Sequence, residues 1–348
     1  MNQEVDAAEV VAALRDATLG QIPEAVELAL GDPEAMRIAV EGVLGPIQRE
    51  LGRRWERGDI AMEDVLSLTA VVDASLTALW NAAEEFVAPR GPRVGIGCAP
   101  GEWHEVPARM AAVDLRCEGC NVTLLGASVT AEQLDEYVSD AHPHAVALSA
   151  SLTSRFAGVA DSIDALHRRG VPVIVGGAAF GTAANRAHAL GADAWCPDGD
   201  AAAQAVRAWE HRPPHIDTEP PARVGADPDE RAAVIDTALR TRLRAEQEWG
   251  TPRSDGDNHR AGVELDALLN YTEASVLTGD DAVLIDAIGW WDRHIALEGA
   301  DATLRSASVD ALVQALPPGR RRALLLRARA ALPLPGRSPG DARHHEVG

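Results

Sequence analysis

Apolar positions recur at helical spacing through the first part of the chain, contract to short apolar runs in the middle, and return to helical spacing in the last third. Asp32-Pro33 reads as a helix start: an N-cap side chain, then proline at the first helical position, where its missing N–H costs no hydrogen bond. From there Met36, Ile38, Val40, Val43, Leu44, Ile47, Leu51 and Trp55 run to a stop at Gly58, a residue that tolerates the left-handed conformation of a helix end. A second stripe carries Val65, Leu66, Leu68, Val72, Leu76, Leu79 and Trp80. With two shorter segments before Asp32, these predict a bundle of about four helices over residues 1–88.

Past the Pro/Gly joint at Pro89–Pro92 the period changes. Arg93–Cys98, Val122–Leu125, Ala145–Leu148, Val173–Val175 and Ala194–Cys196 are short apolar runs with helical stretches between them, one around Val106–Gly119. Short strands alternating with helices predict a parallel sheet covered on both faces, here over residues 91–212. Such sheets bind ligands in the loops beyond the carboxyl ends of their strands.

Residues 213–229 are Pro-rich and acidic without apolar periodicity and read as a linker. Helical spacing resumes over Arg231–Trp249, Gly262–Leu277, Asp281–Leu297 and Val309–Leu332, predicting an all-α domain over residues 230–335, of which a globin-like packing is one form. Residues 336–348 are a polar tail.

Length and composition narrow the function classes. A chain of 348 residues accommodates two or three domains at roughly 100–200 residues each. The formal net charge of −21 argues against a nucleic-acid backbone as direct partner, because phosphate binding needs a basic face. Four cysteines (Cys98, Cys117, Cys120 and Cys196) are too few and too scattered for a disulfide scaffold. The residues carry no uninterrupted apolar run of about 18 and no signal peptide, so the expectation is a soluble cytoplasmic protein without a membrane partner. Trp, with eight copies, outnumbers Phe and Tyr together, at three and two; that excess either fills cores or walls a large flat ligand.

Three loops carry candidate chemistry. The first strand is followed by Glu102-Trp103-His104, in which a carboxylate two residues from a histidine can hold one ring N–H, fix the tautomer and leave the other nitrogen for a metal. The third strand ends in Ser149-Ala150-Ser151, a hydroxyl cluster, and the fourth in Gly176-Gly177, small enough for close approach by a ligand. Each loop taken alone reads as an ordinary tight turn; the order of the three on successive strands does not.

Together they resemble the cobalamin-binding domain of methionine synthases, corrinoid methyl carriers and B12 photoreceptors, whose pattern is Asp-x-His-x-x-Gly, then Ser-x-Leu, then Gly-Gly. Here the first motif becomes Glu102-x-His104-x-x-Pro107 and the second Ser149-x-Ser151, with Gly176-Gly177 unchanged. The resemblance covers about residues 93–210 and implies a Rossmann/flavodoxin-like fold beneath a helical cap. It further implies His104 as the lower ligand of cobalt, Glu102 behind it, Ser149 and Ser151 against the displaced nucleotide tail, and Gly176 and Gly177 flooring the tail's slot. Pro107 fits because it falls in the first helical turn.

Around Trp55 the cap is similar to that of the light-sensing group, where a Trp-x9-Glu-His motif shelters the adenosyl group of adenosylcobalamin. Trp55 matches the tryptophan, but Val65 and Leu66 stand where Glu-His is expected, and Glu56 where the DNA-binding photoreceptors carry a histidine. The alternative for Trp55 is bundle core. The photoreceptors' DNA-binding helix-turn-helix is replaced by the C-terminal helices, where Gly289-Trp290-Trp291-Asp292-Arg293-His294 puts two tryptophans about 100° apart on one helix. This layout resembles photocobilins, B12 photoreceptors that also hold a bilin such as biliverdin. It implies a non-covalent bilin near Trp290, Trp291, Arg293, His294 and Arg260, since all four cysteines lie in the sheet domain; an interface between domains is the other reading of the Trp pair. The expected function is a light sensor, a homo-oligomer whose state changes with light and whose signalling partner is a separate protein. The alternative is a corrinoid methyl carrier serving methyltransferases. A mutase fits least, because the chain has no barrel of about 250 residues to hold a substrate radical.

Overall fold

The computed structural model describes residues 26–216, 218, 228–248, 255–298, 302–330 and 332. Most of the segments expected before Asp32, residues 219–227 of the linker and the tail lie outside the described residues. The chain forms two compact units, Met1–Pro221 and Ala222–Gly348.

In the first unit, α1 (Pro33–Ala39), a π-helical segment (Val40–Leu44) and α2 (Gly45–Glu56) follow one another with helical backbone at each junction. Asp32 caps α1 as expected, its carboxylate accepting from the N–H of Glu34 at 2.9 Å and of Ala35 at 3.4 Å. Gly58 closes the run in the left-handed region, at φ +73°. The next helix, α3 (Met62–Phe86), is used unevenly. Val72, Leu76, Leu79, Ala82 and Ala83 enter the bundle core with Met36, Val40, Val43 and Leu44. Leu76 and Leu79 are fully buried, each worth about 1.5–3 kcal/mol of transfer free energy. Val113 and Cys117 of the following domain join the same cluster, so cap and sheet share a core. Among the described helices α3 alone is long and apolar enough to cross a membrane by length and composition.

The sheet domain alternates β1 (Arg93–Cys98), α4 (Val106–Cys117), β2 (Asn121–Gly126), α5 (Ala131–Ala141), β3 (Ala145–Ser149), a 3-10 turn (Thr153–Arg155), α6 (Phe156–Arg168), β4 (Val173–Gly176), a second 3-10 turn (Ala178–Phe180), α7 (Asn185–Leu190), β5 (Ala194–Trp195) and α8 (Gly199–His211). Every strand pair is parallel and the order is β2-β1-β3-β4-β5. This is the expected flavodoxin-like sheet. β3 is buried throughout and β1 at every residue but Arg93, as strands covered on both faces must be. The direction of strand addition reverses between β1 and β3, so their carboxyl ends bound the crevice where such sheets take ligands.

The second unit is all-α: α9 (Pro228–Glu248), α10 (Asp255–Thr278), α11 (Ala282–Glu298), α12 (Ala302–Ala315) and α13 (Arg320–Ala330). The single helix expected over Val309–Leu332 is two helices, broken at Leu316–Gly319. Pro317 and Pro318 lack the N–H that would continue α12 and disfavour helical backbone in the residue before each. The core gathers Val234, Leu265, Leu268, Leu284, Leu312 and Leu325.

Candidate functional site

The parallel register pairs Cys98 with Ser149 at the carboxyl ends of β1 and β3, and the Ala99 N–H donates to the Ser149 carbonyl at 3.0 Å. The loops carrying Glu102–His104 and Ser149–Ser151 are therefore neighbours by construction. Glu102 ties them together. Its Oε1 accepts from the backbone N–H of His104 at 3.0 Å and stands 2.5 Å from His104 Nδ1. Its Oε2 accepts from the N–H of Ser151 at 2.7 Å and of Leu152 at 3.2 Å. The carboxylate is 1% exposed, while the His104 side chain it holds is 60% exposed. With Nδ1 engaged, Nε2 is the nitrogen left for a ligand.

The electrostatics follow from this geometry. Burial pushes the Glu102 carboxyl up, but hydrogen bonds from the His104 ring, the His104 N–H and the Ser151 N–H outweigh it and bring the pKa to about 2. The bond to Glu102 raises the His104 pKa against burial, and the positive charge of Arg155 opposes the rise. Cys98 is buried, its thiol pushed up to about 12, mainly by desolvation. It is an inert donor, its Sγ reaching the His104 carbonyl at 3.7 Å.

Other groups brace the loop. The Gly101 N–H donates to Ser128 Oγ at 3.0 Å, and the Ser128 N–H to the Glu102 carbonyl at 2.9 Å. Ser128 holds φ +50°, a strained value for a residue with a side chain. Pro107 sits in the first turn of α4, where it was expected. Trp103, between Glu102 and His104, is 73% exposed.

Ser149 is buried, and its Oγ finds no hydrogen-bond partner. Gly177 stands at φ +100°; a Cβ there would lie 2.4 Å from the Ala150 carbonyl oxygen, so only glycine lets the β4 loop close on the β3 loop. Gly176 is adjacent to it at the end of β4. Glu102, His104, Ser149, Ser151, Gly176 and Gly177 thus gather at one end of the sheet. Sequence reading missed Cys98, Ser128 and Arg155, none of which belongs to a motif; the left-handed backbone of Ser128 leaves no sequence signal.

The remaining candidates lie elsewhere. Trp55 is half-buried in the last turn of α2 and stands outside the bundle core cluster, which instead takes Trp80 at its edge. Of the residues at the motif positions on α3, Leu66 is exposed and Val65 half-buried. In the second unit Trp291 packs edge-to-face on Tyr271, with ring centroids 5.6 Å apart, against the domain core. Trp290 is half-buried beside it and Arg260 is exposed on α10. Arg293 and His294 fall on α11, but their side chains lie outside the described residues. A cavity of about 100 Å³ in this unit is lined by Arg231, Leu269, Glu273, Leu316, Pro317 and Arg321, among others, and by neither tryptophan.

Residues 92–207 match the B12 binding domain family, and residues 7–79 match a second family of the same description. Over 146 residues the chain is 37% identical to the HTH-type transcriptional repressor CarH of Myxococcus xanthus, covering 40% of this chain and 47% of that one. It spans about half the length of this repressor and of the repressor CarA of the same organism. It is also 26% identical over 179 residues to dimethylamine corrinoid protein 1 of Methanosarcina acetivorans, covering 49% of this chain and 81% of that one. Among solved structures, the Methanosarcina barkeri monomethylamine corrinoid protein aligns at a TM-score of 0.48 and 22% identity, over 60% of this chain and 100% of that one.

The site fits cobalamin on its own terms. The described residues hold no group of three or more metal-ligating side chains. One oriented imidazole suits a metal whose equatorial positions a macrocycle already fills. The orphaned Ser149 Oγ and the glycine-floored loop suit the nucleotide tail that such a histidine displaces.

Proposed function

We propose that this cobalamin-binding chain is a light sensor that uses adenosylcobalamin with His104 as lower ligand and Glu102 behind it. When bound, that cofactor supplies a Co–C bond weak enough for green light to break. The observation that carries the reading is the place of Trp55, a half-buried aromatic side chain in the last turn of α2, outside the buried cluster of the bundle. The exposed Met62 and Leu66 at the start of α3 leave further apolar surface on the same cap. Trp55 shelters the adenosyl group in the dark, and loss of that support loosens the cap helices and changes domain packing or oligomeric state. Glu56, Val65 and Leu66 offer no imidazole, so the response is loss of a contact rather than gain of a protein ligand. The chain works in the cytoplasm as a homo-oligomer, signals through a separate protein, and carries a non-covalent bilin such as biliverdin on its C-terminal helices. The four free cysteines, all buried in the sheet domain, support the non-covalent mode.

A second reading, a corrinoid methyl carrier, is favoured by the alignment over 81% of dimethylamine corrinoid protein 1. Absorption spectra and gel filtration of the adenosylcobalamin-loaded full chain, before and after green light, separate the two. The sensor converts its spectrum and shifts its elution. A chain whose elution stays unchanged even as light converts its spectrum, and which gives up a methyl group from methylcobalamin to a thiol acceptor through a methyltransferase, is a carrier.

A further inference from the structure

We infer that Arg155 is the side chain that grips the phosphodiester of cobalamin's displaced nucleotide tail, an inference that rests on His104 being the lower ligand. Arg155 ends the 3-10 turn that follows β3 and caps α6. Its guanidinium folds back over the first loop: a Cβ added at Gly101 would meet Nη1 at 3.0 Å and Cζ at 3.5 Å. That places a cation one residue from Glu102 and within electrostatic reach of the His104 ring.

What sets Arg155 apart is how little the protein asks of it. Other partly buried arginines of this unit spend their guanidinium groups internally. Arg37 pairs with Glu118 and Asp200, Arg109 with Asp73 and Thr77, and Arg116 donates to the carbonyls of Cys120 and Glu84. Arg155 Nε is buried without a hydrogen-bond partner, as Arg37 Nε also is, but where both Nη groups of Arg37 are held by carboxylates, no carboxylate among the described residues pairs with the Arg155 guanidinium. A buried guanidinium N–H without an acceptor is costly, and in a chain of net charge −21 carboxylates are not scarce. A site that keeps a half-buried cation without a carboxylate partner beside the candidate ligand histidine is suited to an anion.

Cobalamin carries one. Its peripheral side chains are amides, and its fixed negative charge is the phosphodiester that joins the corrin side chain to the nucleotide. Once an imidazole takes the lower position, that tail leaves the metal and its phosphate needs a partner on the same side. The planar fork of arginine matches phosphate oxygens better than a lysine point charge does. Arg155 is thus a binding residue for the tail, separate from the Glu102–His104 pair that addresses the metal.

The test is dark titration of the full-length chain and its Arg155→Gln and Arg155→Lys variants, followed by absorbance, with adenosylcobalamin and with adenosylcobinamide, which lacks the tail and its phosphodiester. Arg155→Gln should lose roughly 10–100-fold in affinity for adenosylcobalamin and nothing for adenosylcobinamide, with Arg155→Lys between. Raised salt should weaken cobalamin binding by wild type more than by Arg155→Gln. Equal losses for both ligands, or no loss for either, would overturn the assignment while leaving cobalamin binding intact. Wild type that binds neither ligand at micromolar concentrations would remove the cobalamin reading itself, and this inference with it.

Discussion

Glu102 Oε1 stands 2.5 Å from His104 Nδ1, and the other oxygen of the same carboxylate holds the N–H groups of Ser151 and Leu152. One buried side chain therefore sets the tautomer of the candidate ligand and locks the β1 loop onto the β3 loop. Glutamate in place of the family's aspartate has the reach to do both. Replacing Glu102 by Gln keeps the shape but removes the charge that both loops share. Cobalamin affinity should fall by roughly 10–100-fold, the usual cost of losing a partner behind a metal ligand, with part of the bound cofactor returning to a base-on spectrum. Absorbance titration checks this; an unchanged spectrum and affinity would remove Glu102 from the site.

Gly177 makes a sharper steric test. Its φ of +100° with ψ 169° lies in a region that only glycine occupies readily, and the Ala150 carbonyl fills the space of a side chain. Gly177→Ala should cost at least about 1–3 kcal/mol from backbone strain, read as a lower denaturation midpoint, and should weaken cobalamin binding in parallel. Full stability in the alanine variant would mean the loop is not held as described.

The strands, the helix starts and the Glu102–His104 pair were legible in the sequence because each depends on local chemistry: apolar period, capping residues, a carboxylate two positions from an imidazole. What was not legible depends on chain reversal. Glu102 meets the Ser151 N–H only because parallel pairing sets Cys98 beside Ser149. Arg155 follows the Ser149-x-Ser151 motif as an unremarkable surface residue until a 3-10 turn brings it back over Gly101. The C-terminal tryptophans show the same limit from the other side. Their adjacency was visible, but not that Trp291 would pack at right angles to Tyr271.

The seam between cap and sheet should make stability depend on pH. Asp114 of α4 is fully buried, with neither oxygen finding a donor. Burial first, then the neighbouring Glu41 carboxyl of the π-helical segment, drive its pKa well above the usual value, against the pull of Arg37. A raised carboxyl pKa gives stability that is complete below the unfolded value of 3.8 and is lost as the pH climbs through the folded one. Asp114 should therefore cost the cofactor-free protein urea resistance as the pH is raised from about 4 until the folded carboxyl ionises. Asp114→Asn, neutral throughout, should flatten that slope and gain stability at the higher pH. Equal slopes in the two proteins would mean that Asp114 does not control the seam.

Trp55 decides between sensor and carrier at the level of one side chain. If it shelters the adenosyl group, Trp55→Ala should speed photolysis of the bound cofactor or let methylcobalamin bind as well as adenosylcobalamin. A large loss of stability with unchanged photolysis would assign Trp55 to packing alone.

A bilin on the C-terminal helices makes steric demands of its own. A linear tetrapyrrole is long and flat with two propionates, and pockets for ligands of drug size run to roughly 300–1,000 Å³. The cavity of about 100 Å³ among the C-terminal helices is smaller than that and is lined by neither Trp290 nor Trp291. A bilin seated beside Trp290 would exchange helix packing for its own apolar faces, with arginine meeting the propionates. Three results follow from that exchange. Biliverdin added to the cobalamin-loaded protein should co-elute on gel filtration with a red-absorbing band. Acid denaturation should release it as free pigment, because no thioether holds it. Trp290→Ala should lower its affinity without touching the cobalamin spectrum. If no pigment co-elutes at micromolar protein, the tryptophans serve packing or an interface between domains, and the chain senses light through cobalamin alone.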